Sequence, residues 1–261
     1  MTKPTPDPQS SAVLERQAPA PARTAAYGDD AEQVYDVREP ARPLGATVLV
    51  VHGGFWRPAY DRTHAGSQAA ALADAGFHVA VAEYRRDRMP LSQLPAALAD
   101  VRGVVAAVRA DESLPEPVVL VGHSAGGQLV AWAANQPWAD GLAGVVVLAG
   151  CVDLRATDAM GLGGGAARDW IAIGPDEAPD VWRAADPTAS LPPRVPVRLL
   201  HGRQDEIVPV EVTDAYVQRC RELGADVTLE VLDGCGHYSL IDPDAPAFAD
   251  VLQTLGSLSG R

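Results

Sequence analysis

The stretch that most constrains this chain is Val118-Val119-Leu120-Val121-Gly122-His123-Ser124-Ala125-Gly126-Gly127-Gln128-Leu129-Val130. Four apolar residues run without a polar break into a glycine-rich pentapeptide, and an alanine-rich apolar segment follows. That pattern predicts a strand buried on both faces, a sharp turn and a helix. Gly122-His123-Ser124-Ala125-Gly126 fits G-x-S-x-G, a strained strand-to-helix turn that displays a serine hydroxyl. Such a turn tolerates only small neighbours, which Gly122, Ala125, Gly126 and Gly127 supply. The helix opening behind Ser124 would aim free N–H groups at negative charge developing there.

The rest of the chain repeats the same alternation. The continuous apolar run Ala46–Val51, the buried run Gly144–Gly150 and the apolar-rich stretches Phe77–Ala82, Val197–Gly202 and Val227–Leu232 read as strands, with Gln33–Val37 as a first one. Ser67–Ala75, Leu94–Ala110, Val210–Leu223 and Pro246–Leu258 read as helices. Strands alternating with helices predict an α/β fold, with a mostly parallel central sheet and helices on both faces. The length of 261 residues with 47% hydrophobic residues suits a single large domain over residues 27–261. Residues 1–26, rich in Pro, Ala, Ser and Thr, read as a mobile arm. Residues 153–193, with Gly163-Gly164-Gly165 and several prolines, read as an irregular cap.

A formal net charge of -13 argues against nucleic acid and against an anionic membrane surface as partners. The one protein partner left open is a second copy of the chain, a homodimer strapped by the N-terminal arm. Cys151, Cys220 and Cys235 cannot all pair, and the first residues carry no apolar leader core, so a cytoplasmic location is expected.

A serine hydroxyl needs a base, and the base needs an orienting carboxylate. In doubly wound sheets the chain order is Ser, then Asp or Glu, then His. Two histidines follow Ser124. His201 sits at a strand end, whereas His237 lies in the loop Asp233-Gly234-Cys235-Gly236-His237-Tyr238 after the last strand, and is the expected base. Asp205, in Gly202-Arg203-Gln204-Asp205-Glu206, is the leading carboxylate. Glu206 and Asp153 are its rivals, and Asp233 and Asp242 read as turn residues. His52-Gly53-Gly54, after an expected strand, offers backbone N–H groups of Gly53 and Gly54 to join that of Ala125 in an oxyanion hole. No metal-ligand spacing is present, and Gly161–Gly165 does not follow a strand as a nucleotide loop would, so no metal or cofactor is expected.

His52-Gly53-Gly54-Phe55-Trp56, Glu83-Tyr84-Arg85-Arg86, the elbow, Cys151-Val152-Asp153-Leu154-Arg155 and His237-Tyr238-Ser239-Leu240-Ile241-Asp242 together resemble the α/β-hydrolase family, and within it the kynurenine formamidase-like and small carboxylesterase branch. The resemblance spans residues 31–256. It implies the single-domain α/β-hydrolase fold with a small cap. It also implies a serine hydrolase that cleaves a small ester or amide through an acyl-enzyme, with an N-formylkynurenine type of substrate favoured. The alternatives are a general carboxylesterase of short acyl esters and a catalytically silent ligand-binding protein on the same fold. Phe55, Trp56 and His123 are the candidate substrate-binding residues, and Trp56, with Trp170 or Trp182 of the cap, could present an apolar face to an aryl leaving group; the alternative is that these aromatics pack the core under the cap.

Overall fold

Uninterrupted valine and leucine have no polar face to show water, so they become strands covered on both sides. In the computed structural model, which describes residues 9–86 and 94–260, they form the middle of an eight-stranded sheet. The strands are β1 (Arg23–Ala26), β2 (Val34–Arg38), β3 (Thr47–Val51), β4 (His78–Ala82), β5 (Val118–His123), β6 (Gly144–Leu148), β7 (Val197–Gly202) and β8 (Val227–Leu232). Their order is β1-β2-β4-β3-β5-β6-β7-β8. β1, β2 and β4 pair antiparallel, and every pair from β4 onward is parallel. β3, β5 and β6 are buried throughout, whereas the edge strand β8 alternates.

Alternate residues of the sheet feed two cores. Leu49, Leu120, Val147 and Leu199 pack with helices α2 (Ala96–Ala110), α3 (Ala125–Ala134) and α7 (Glu211–Glu222). Val48, Val50, Val121 and Val146 pack on the other face with α1 (Gly66–Asp74) and α8 (Ala247–Leu258). The chain leaves β3 toward β4 on one side and returns to β5 on the other. The carboxyl ends of β3 and β5 therefore border the crevice where this architecture binds ligands.

Two expectations change. Residues 23–26, expected within a mobile arm, are β1, in register with β2 from Arg23↔Val37 to Ala26↔Val34. Upstream, a 3₁₀ turn at Ala12–Glu15 buries Val13, and Arg16 Nη1 lies 2.8 Å from Asp242 Oδ1. Composition concealed this because the docking uses one valine, the ion pairs of Arg16 and Arg23, and the unpaired backbone of a sheet edge. Residues 1–8 of the expected arm lie outside the described residues. Residues 153–193 are irregular only in part. They hold α4 (Leu154–Ala159), α5 (Leu162–Ile171) and α6 (Pro179–Ala185). Gly163, Gly164 and Gly165 take left-handed φ and break the start of α5, as their sequence suggested, whereas Pro179 opens α6 and Pro187 the 3₁₀ turn after it, where a missing N–H costs nothing. Among the described residues no helix is long and apolar enough to cross a membrane.

Candidate active site

Ser124 stands between β5 and α3 with φ 56° and ψ -118°, a strained conformation for any residue but glycine. Its amide donates to the Leu148 carbonyl at 2.9 Å, which ties the turn to β6. The flanking glycines are needed for close approach. A Cβ at Gly122 would lie 2.2 Å from the Gly126 carbonyl oxygen, and one at Gly126 would lie 2.1 Å from that of Val51. The N-terminus of α3, and the Ala125 amide with it, is thereby seated against the end of β3.

Asp205 and His237 come from the loops after β7 and β8, which pair in parallel. The loops are laced together, since the Gln204 amide donates to the Cys235 carbonyl and the Cys235 amide to Gln204 Oε1, at 3.0 and 3.1 Å. His237 Nδ1 lies 2.7 Å from Asp205 Oδ2, with both side chains buried. Asp205 Oδ1 accepts the amides of Ile207 and Val208 at 2.9 and 2.8 Å. Burial alone would push this carboxyl up; the hydrogen bonds from His201, His237 and the Val208 amide outweigh it and hold Asp205 well below the usual carboxylate range. His201, the rival base, is spent on structure: its Nε2 lies 2.8 Å from the Val208 carbonyl oxygen and 3.5 Å from Asp205 Oδ2. Among the rival carboxylates, Asp153 caps α4 by accepting the Ala156 amide, and Glu206 points to solvent.

The His52–Gly54 loop runs beside the elbow, where a Cβ on Gly53 would fall 2.9 Å from the His123 carbonyl oxygen and 3.1 Å from Ser124 Cβ. The next two residues, Phe55 and Trp56, both have positive φ, so the loop is held under strain. A buried polar cluster holds it. Glu83 Oε1 lies 3.1 Å from His52 Nε2 and pairs with Arg86, Glu83 Oε2 accepts the Arg62 amide, and the Tyr84 hydroxyl donates to the His52 carbonyl at 3.0 Å. Burial would raise Glu83, but hydrogen bonds from His52, the Arg62 amide and Arg86 bring it down to about 2. Ser124, His237, Gly53 and Gly54 all border one cavity of about 130 Å³.

A strained serine at a helix start, a carboxylate-held histidine and a glycine loop beside them can form and break an acyl bond. Residues 34–219 match the BD-FAE family model. The chain belongs to the BD-FAE family. This is an α/β-hydrolase esterase family. The chain is 28% identical to esterase LipC of Mycobacterium tuberculosis over 84% of its own length and 60% of that protein, so it spans about three fifths of the curated relative it matches. A truncated carbohydrate esterase from gut microbiota superposes at a TM-score of 0.77, with 20% identity over 94% of this chain and 100% of that one. Phosphonate-inhibited esterase B from Lactobacillus rhamnosis superposes at 0.76, with 16% identity over 96% and 91%. Both are likenesses of fold.

The cavity of this BD-FAE protein is lined differently from expectation. Phe55 and His123 do border it, but Trp56 does not. Trp56 is buried, donates from Nε1 to Gln128 Oε1 at 3.0 Å and stacks on Trp170 at 4.7 Å. Trp182 is also in the core, its Nε1 donating to the Ile173 carbonyl. These large aromatics fasten the cap to the sheet and leave no free face for an aryl group. His123 also has a second task, donating from Nε2 to the His237 carbonyl at 3.0 Å. Burial, then the neighbouring His237, bring His123 down to about 3, so it stays neutral at pH 7. The remaining wall is Leu14, Tyr60, His64, Ala65, Gln68, Ile207, Tyr238 and Ile241, none of which the sequence marked as lining. Tyr238 and Ile241 stand in the histidine motif, and Gln68 is a long polar side chain in an alanine-rich helix, but nothing local says that it faces inward.

Proposed function

We propose that this chain is a serine carboxylesterase that hydrolyses short acyl esters through an acyl-enzyme. The observation that carries the reading is the buried Asp205–His237 contact at 2.7 Å, with His237 and Ser124 bordering one small cavity. In the proposed reaction Ser124 Oγ attacks the ester carbonyl carbon while its proton passes to His237 Nε2. The carbonyl oxygen takes the negative charge and is met by the backbone N–H groups of Ala125 and of Gly53 or Gly54. When the tetrahedral species collapses, the C–O bond to the alcohol breaks and the leaving oxygen takes the proton from His237. Water then repeats the sequence on the acyl-serine, with His237 again as base. Asp205 stays ionised and keeps the His237 proton on Nδ1, leaving Nε2 free to accept.

Two things support a carboxylesterase ahead of an arylformamidase. The named relatives are esterases. The tryptophans that were to hold an aryl group are packed in the core. A cavity of about 130 Å³ falls below the ~300–1,000 Å³ of sites that enclose larger ligands, which favours short acyl groups. The test is a panel of acetyl, butyryl and octanoyl esters of one alcohol together with N-formylkynurenine, run beside fluorophosphonate labelling. The expected result is a single label on Ser124, absent in Ser124→Ala, with butyryl cleaved fastest of the esters and ahead of N-formylkynurenine. Faster cleavage of the formamide would restore the arylformamidase reading. No label and no turnover would leave a binding protein.

A further inference from the structure

Helix α1 is made almost wholly of small residues, Gly66-Ser67-Gln68-Ala69-Ala70-Ala71-Leu72-Ala73-Asp74. Gln68 breaks that pattern on the buried face and is only 3% exposed. Its amide nitrogen Nε2 is buried and has no hydrogen-bond partner among the described residues. A buried donor without an acceptor destabilises the fold, and alanine, already frequent in this helix, would remove the cost. Such an orphan invites an external partner. The same side chain lines the cavity on which Ser124 opens, and none of the other orphaned buried side-chain atoms among the described residues belongs to a residue of that lining. Away from Ser124 and His237, the side chains of Tyr60, His64 and Tyr238 border the cavity beside the apolar Leu14, Ile207 and Ile241. Among the described residues no lysine or arginine lines it, and the chain carries a formal net charge of -13. A carboxylate would therefore enter without compensation, so the acceptor that suits the amide is a neutral oxygen.

We propose that the Gln68 amide is the specificity anchor of this cavity, and that the preferred substrate is a short ester bearing a hydroxyl or carbonyl oxygen on the limb that enters it. The proposal rests on the esterase reading above and deepens it. The oxygen satisfies the buried amide only when the right substrate is bound. A substrate with a methyl group in its place leaves the amide orphaned and is discriminated against.

Steady-state kinetics on two matched pairs test this. Methyl 3-hydroxybutyrate against methyl 3-methylbutyrate places the oxygen on the acyl limb, and 2-hydroxyethyl butyrate against propyl butyrate places it on the alcohol limb. The expected result is a kcat/KM preference of roughly tenfold to a hundredfold for the hydroxyl member of one pair, which also identifies the limb the cavity holds. In Gln68→Leu the preference reverses, because the hydroxyl ester slows and the alkyl ester speeds up. Gln68→Met, checked for native thermal unfolding, repeats the comparison with a more flexible side chain. Turnover of all four esters with ratios below about twofold in the unsubstituted protein overturns the inference and leaves the esterase reading standing. So does a preference that survives both substitutions. Failure to cleave any of these esters, or the simple esters of the panel, overturns the esterase reading and this inference with it.

Discussion

At the scale of single residues, the site depends on which carboxylate faces His237. Asp205 and Glu206 are neighbours in the chain, but only Asp205 turns inward, fixed by the amides of Ile207 and Val208 and by His237 Nδ1. An asparagine at 205 could keep the shape of the loop while losing the charge that holds the Nδ1 proton. Asp205→Asn is therefore expected to lower kcat by roughly 10⁴-fold with little change in KM. Glu206→Gln, at an exposed position, is expected to change kcat less than about twofold. Steady-state kinetics on one butyryl ester separates the two, and a larger loss from Glu206→Gln would move the carboxylate by one residue.

At the scale of elements, the 3₁₀ turn Ala12–Glu15 connects the N-terminal segment to the cavity. Val13 anchors the turn in the core beneath α1 and α8, Arg16 ties it to Asp242 beyond the histidine loop, and Leu14 becomes part of the cavity wall. The turn therefore helps set the size of the group the cavity admits. Leu14→Ala is expected to raise the hexanoyl-to-acetyl ratio of kcat/KM on the order of tenfold, the scale at which a pocket distinguishes one methylene. Thermal unfolding should change little, since Leu14 is only partly buried while Val13 carries the docking. An unchanged ratio would mean that Leu14 borders the cavity without limiting it.

For the molecule as a whole, one buried acid works against stability. Asp186, between α6 and the turn that follows it, accepts the Thr188 amide, and burial, then the charge of Asp153, push it up to about 7. The folded state thus keeps a proton that the unfolded chain releases near its ordinary value of about 3.9. Between about pH 4 and pH 7 the unfolded chain binds fewer protons, so stability falls as pH rises, and above pH 7 the full penalty is in place. Asp186→Asn retains an oxygen for the Thr188 amide and cannot ionise. It is expected to raise Tm by several degrees at pH 8 and to leave it nearly unchanged at pH 4, as scanning calorimetry at the two values would show. An equal shift at both would mean that the carboxyl ionises normally in the fold.

The sequence by itself determined the class of fold and the order of its parts, because both are written in short-range pattern. Runs such as Thr47–Val51 and Val118–Val121 have no polar face, so they had to be interior parallel strands. The glycines around Ser124 had to mark a close approach of backbone. The order of Ser124, Asp205 and His237 followed from the same topology, and the register of β7 with β8 brings the last two within 2.7 Å. Only the tertiary structure decided the shape of the cavity and what can fill it. Leu14, Gln68, Ile207 and Ile241 meet there from distant parts of the chain, and no local periodicity encodes that meeting. For Trp56, Trp170 and Trp182 the position in the chain left pocket wall and core packing both open, and the tertiary structure decided for the core, where a large aromatic gains most from burial. β1 became part of the sheet for a similar reason, since the edge of β2 offered backbone partners that a local reading of residues 23–26 could not include.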